Sequence, residues 1–154
     1  MTTDHIEDGD WERVRELAAQ VADAACRDDH GATASGTRQL LAWLEELERK
    51  YGPKPSILAT KADYREATRE QVALLVQAWS LAEAIGDKAN LVMIASSLAS
   101  RFVDDIGDRR EALDWLARLD KALTDWPDAD ERSEYVRMRN QLASIESREG
   151  RTAT

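Results

Sequence analysis

Successive tryptophans Trp43, Trp79 and Trp115 are spaced by 36 residues in a chain of 154. Their surroundings agree in type: "LLAWLEEL", "LVQAWSLA" and "EALDWLARL". A period of this length points to a structural unit used several times over, each copy burying an apolar face against the next. The composition makes that unit helical. Ala, Leu, Glu and Arg dominate, only seven Gly and three Pro interrupt the chain, and 43% hydrophobic residues suffice for a core.

The tripeptide Ile-Gly-Asp occurs twice, at Ile85-Gly86-Asp87 and Ile106-Gly107-Asp108. Each copy ends one apolar-periodic run and begins another. Glycine is suited to the left-handed stop of a helix and aspartate to the N-cap of the next. Asp108 and Glu111 also match a capping box. Neither copy follows a strand or carries the further glycines and Lys-Ser/Thr of a phosphate loop. Neither supplies oxygen ligands at alternate positions, as a calcium loop does. The repeated tripeptide therefore reads as helix punctuation.

The same logic sets the remaining elements. Residues 1–9 read as a flexible arm, and Asp10 as the cap of a helix beginning at Trp11 with Val14, Ala18, Val21 and Ala25 at helical spacing. "DDHGATASG", with Gly31 and Gly36, reads as the loop that ends it. A second helix is expected over 37–51, with Leu40, Leu44, Leu47 and Tyr51 on one face, closed by "YGPKPS". Residues 56–85 hold no Gly or Pro. They form either one long helix or, as we prefer, two with a bend near 63–67. In the later half, apolar residues on two sides, Val72, Leu75, Val76 and Trp79 on one and Leu74, Ala78, Leu81 and Ile85 on the other, predict a sandwiched helix. Further helices are expected after Asp87, Asp108 and Asp128, the last over 129–148 with Tyr135, Met138, Leu142 and Ile145 in line. That makes seven helices with no sheet, a helical domain over 10–149, and a flexible tail over 150–154.

"SLASRFVDDIGDRREALDWL" resembles the tetratricopeptide repeat family, with Ser97-Leu98-Ala99 as the small-residue step, Gly107-Asp108 as the turn and Ala112 as the second-helix alanine. "ADYREA" at 62–67 is a degenerate form, and "NQLASIESREGR" at 140–151 resembles a first helix without its second. The resemblance covers about 56–150. It implies a right-handed α-solenoid of about three antiparallel helix pairs with a C-terminal capping helix, whose first helices line a groove for peptides. The residues it places there by register are Met93, Ser97 and Ser100 on one helix and Arg137, Gln141 and Ser144 on the last, with Asn90 and Asn140 nearby. Small and amide side chains suit hydrogen bonding to a peptide backbone, and Arg137 suits a carboxylate.

A net charge of −9 disfavours nucleic-acid backbones and anionic membranes and suits a basic protein or peptide. No apolar run approaches a membrane span, and no leader is visible, so a cytoplasmic protein is expected. Cys26, the single cysteine, is expected to be a small buried hydrophobe. His5 and His30 lack metal-ligand neighbours, the pairs Asp28-Asp29 and Asp104-Asp105 read as solvated helix ends, and no serine sits in a nucleophile elbow. The expectation is a non-enzymatic adaptor or chaperone-like binding module without a cofactor. An acidic inhibitor or immunity-type protein facing a basic toxin or nuclease is the first alternative, and an enzyme with a helical cleft the second. Val136 and Ala143 lie off the apolar stripe of the last helix, which leaves a monomer or a weak homodimer open.

Overall fold

The structure, a computed structural model, describes the backbone of residues 1–152 and the side chains of residues 1–145. Among the described residues it is all helical: α1 (Asp8–Cys26), α2 (His30–Tyr51), α3 (Pro55–Asp63), α4 (Thr68–Ile85), α5 (Lys88–Ser100) with a π-helical extension at Arg101–Ile106, α6 (Arg109–Asp125) and α7 (Ala129–Thr152). The chain divides into two compact units, Met1–Leu74 and Leu75–Thr154.

In the first unit, α1 and α2 pack along their lengths and α3 joins α2. Val14, Leu17, Val21 and Ala24 of α1 are buried, as are Leu40, Leu44 and Leu47 of α2. The stripe on α1 is therefore turned from the Trp11–Val14–Ala18 register. Cys26, two residues past Ala24, consequently points outward and is exposed rather than buried. The segment "DDHGATASG" is not a loop. Asp28 takes a left-handed conformation at φ 56°, Asp29 accepts from the Ala32 N–H, and α2 begins at once. Gly36 is then an interior helical residue. A Cβ there would lie 2.9 Å from Val21 Cγ2, so its lack of a side chain lets α1 and α2 approach closely.

Residues 1–9 are not a free arm. Ile6 is fully buried in the core of this unit, and Asp4 is fully buried beside it. The Asp4 carboxylate accepts from the Ser56 N–H at 2.8 Å, at the start of α3, and from the Thr2 hydroxyl at 2.5 Å. It thereby satisfies a helix-end donor that α3 cannot satisfy itself, since Lys54 offers no side-chain cap. Glu7, not Asp10, is the N-cap of α1. Asp10 instead accepts from Lys50 at 2.7 Å and Tyr51 at 2.6 Å, which hold its carboxyl below the usual range, while its carbonyl accepts from Trp43 Nε1 at 3.2 Å.

The break over 64–67 separates α3 from α4 as the sequence predicts. On α4, Leu75, Ala78, Trp79 and Ala82 form the buried stripe, Val72, Leu74 and Leu81 flank it half-buried, and Val76 and Ile85 are exposed. Gly86 and Gly107 have φ of 68° and 73°. Asp87 and Asp108 accept from the Asn90 and Glu111 N–H groups. Both Ile-Gly-Asp copies are helix stops joined to caps. Asp128 likewise accepts from the Glu131 N–H at 3.0 Å. α5 packs on α6, and α7 packs against both. Trp115, Leu116, Leu119 and Leu123 of α6 and Met138 and Leu142 of α7 are buried. Ile145, expected to lie in the apolar stripe of α7, is exposed instead. α7 continues through Gly150 to Thr152, so the tail expected from 150 is in part helical, and Ala153 and Thr154 lie outside the described residues.

Candidate partner-binding face

α5 buries most of its circumference: Val92, Ile94, Ala95, Ser96, Leu98 and Ala99 are all buried. A narrow arc remains, and the predicted residues lie on it. Met93, Ser97 and Ser100 recur at i, i+4 and i+7, which places them in one row. Met93 is 51% exposed, although it belongs to the most apolar helix of this unit.

The row leads into the π-helical turn. Its last bond runs from the Gly107 N–H to the Phe102 carbonyl at 3.0 Å, an i→i−5 bond that ends on the left-handed glycine. π turns widen the helix locally and recur at functional sites. Here the turn carries Asp104, one helical turn beyond Ser100. The Ser100 hydroxyl donates to Asp104 Oδ2 at 3.0 Å. Arg137 of α7 meets the same carboxylate with a two-pronged contact, Nη2 to Oδ2 at 3.0 Å and Nη1 to Oδ1 at 3.3 Å.

Arg137 is nearly saturated. Its Nε donates to Glu134 at 2.8 Å and its Nη1 also donates to Gln141 Oε1 at 2.9 Å. Four of the roughly five N–H donors of a guanidinium are thus engaged. The arginine is a strut between α7 and the π turn, not the open hook for a carboxylate that the sequence suggests. The arginine pushes the Asp104 carboxyl below the usual carboxylate range, helped by Ser100 and opposed by partial burial. Asp104 and Glu134 in turn push the guanidinium up. With two carboxylates around one guanidinium, this junction keeps an excess of negative charge.

Of the eight predicted residues, Ser100, Arg137 and Gln141 converge on Asp104. Met93 and Ser97 continue the same row on α5. Asn90 is engaged elsewhere: its amide donates to the Asp87 carboxylate at 2.7 Å, so it serves the start of α5. Ser144 donates to the Asn140 carbonyl of its own helix, and both are exposed. Asp104, which organises the junction, was read from sequence as a solvated helix end. Its partner lies 33 residues away, and no local pattern announces it.

Among the described residues no cluster of three or more His, Cys, Asp or Glu side chains is placed to hold a metal ion, and no helix is long and apolar enough to cross a membrane. No protein-family model, no curated protein and no solved structure matches the chain.

Proposed function

We propose that the protein is a non-enzymatic binding module of the tetratricopeptide-like kind, which takes a basic protein or peptide on the face formed by α5, its π turn and α7. The observation that carries this reading is the exposed Met93 in one row with Ser97 and Ser100, ending at the acidic Asp104–Glu134 junction. A flexible thioether adapts to differing apolar partners. The serines offer hydrogen bonds, and the carboxylates suit a lysine or arginine. The packing of α7 on both members of the α5–α6 pair supports the helical-repeat part of the proposal, because a first helix of a following repeat would rest there. A cytoplasmic address belongs to the same proposal.

A second reading is favoured by the net charge of −9: an acidic inhibitor that neutralises one basic protein. The two differ in affinity and salt response. An adaptor exchanges its peptides, whereas an inhibitor holds one partner in a tight complex that weakens steeply with salt.

Site-directed photocrosslinking tests the proposal. A benzophenone side chain at Met93, with one at Arg13 of the first unit as control, is irradiated in native host cells. Discrete adducts at Met93 that are missing at Arg13 support the face. Equal labelling at both positions, or none, contradicts it.

A further inference from the structure

The first unit carries a cleft of about 600 Å³, independent of the face proposed above. One wall is a stripe of α2 that includes Thr33, Thr37 and Arg38. The other is the turn between α3 and α4 with the start of α4, which brings Arg65, Glu66 and Glu70. Leu41 and Tyr64 line the floor and pack against the core of this unit.

Four charged side chains thus share one cleft, two of each sign. Among the described residues, none of Arg38, Arg65, Glu66 and Glu70 has an ion-pair partner. Elsewhere the arginines at 13, 15, 49, 101, 118, 132 and 137 each meet a carboxylate. The turn that presents them is held in place: Gln71 is buried and its amide donates to the Arg65 carbonyl at 2.6 Å. Opposite charges held apart over an apolar floor suit a ligand that carries both signs at once. A purely anionic ligand would meet the two glutamates, and a purely cationic one the two arginines.

We propose that this cleft binds a small zwitterion of the amino-acid type, its carboxylate against Arg38 and Arg65 and its ammonium against Glu66 and Glu70. Its side chain then rests on Leu41 and Tyr64. The Thr37 hydroxyl can donate to that carboxylate, whereas the Thr33 hydroxyl already donates to the Asp29 carbonyl at 2.8 Å. The size fits the range of small-molecule pockets.

The test is an amide-resolved NMR titration of the full chain. The probes are the free amino acids, each compared with its amine-only and acid-only analogues, such as phenylalanine against phenethylamine and 3-phenylpropanoate. At least one amino acid is expected to give saturable shifts at residues 33–38 and 64–70, with affinity about tenfold or more above both analogues, the gain of one further charge-assisted contact. Arg65→Ala and Arg38→Ala should each weaken it by a similar factor, and Glu70→Gln should do so through the ammonium. These residues lie at the surface, so the spectra elsewhere stay unchanged. No saturable shift with any amino acid overturns the proposal. So does equal binding of a one-charge analogue, or indifference to both arginine variants.

Discussion

Trp79 and Trp115 meet edge to face, with ring centroids 5.3 Å apart and planes at 84°. The Arg118 guanidinium lies over both, 4.3 Å from the Trp115 ring and 5.9 Å from the Trp79 ring. Two members of the 36-residue tryptophan series thus form one cluster in the second unit. Trp43, the third member, packs half-buried on the core of the first unit, so the three sites are not equivalent. Trp79→Ala and Trp115→Ala should each cost about 3–5 kcal/mol of stability. A double-mutant cycle between them should show a coupling of about 0.5–1.5 kcal/mol. Trp43→Ala should cost less than either. Urea unfolding measures all three, and a larger loss at Trp43 would contradict the burial pattern.

Gly36 and Gly107 should fail for different physical reasons. Gly36→Ala puts a methyl against Val21 Cγ2 and should cost about 1–3 kcal/mol by overpacking. Adding Val21→Ala to it should restore part of that loss. Gly107→Ala meets no neighbour within 4 Å, but its φ of 73° should cost about 1 kcal/mol, and no second-site truncation should relieve it.

The N-terminal segment should behave as part of the first unit. Ile6→Ala should destabilise by about 2–5 kcal/mol, as for other buried aliphatic truncations. Asp4→Ala, which leaves the Ser56 N–H without its carboxylate, should cost about 1–3 kcal/mol. Unchanged melting temperatures in both variants would mean that residues 1–7 detach from the core.

The Asp104–Arg137 contact should be sensitive to acid. The Asp104 carboxyl titrates lower in the folded chain than its unfolded value of about 3.9. Its contribution is therefore fully present above the unfolded value and is lost as pH falls through the folded one. The stability difference between wild type and Asp104→Asn should hold steady near neutrality and shrink below about pH 4. Both side chains are about a third or more exposed, so the difference at neutral pH should not exceed about 1 kcal/mol and should fall with salt. Urea unfolding of both proteins across pH 3–7 measures it, and a difference that grows on acidification would contradict the assignment.

Where structure follows from neighbours in sequence, it was legible. The two Gly-Asp stops, the Asp128 cap and the break over 64–67 each rest on a few adjacent residues whose backbone preferences agree. Where it follows from distant packing, it was not. Ile6 stands alone in a polar segment, so no periodicity marks it as core. Gly36 looks like a loop residue until Val21 is seen to need the space. The α1 stripe is ambiguous from sequence because Ala18 and Leu17 compete for the same face, and the side on which Cys26 falls depends on that choice. The row on α5 is legible, since Met93, Ser97 and Ser100 follow from helical register. The engagement of Arg137 with Asp104, Glu134 and Gln141 depends on where α7 crosses the π turn, and no local pattern fixes that crossing.

Binding of a basic peptide to the α5–α7 face is tested by selecting a random peptide library on the immobilised protein and measuring how the enriched peptides bind variants. Enriched sequences are expected to carry a net positive charge and an apolar anchor. Their affinity should fall about tenfold or more in Met93→Glu and in Asp104→Asn, and persist in Arg13→Ala. Enriched peptides that bind Met93→Glu and Asp104→Asn as well as wild type, or a library that yields no enriched sequence, would contradict it.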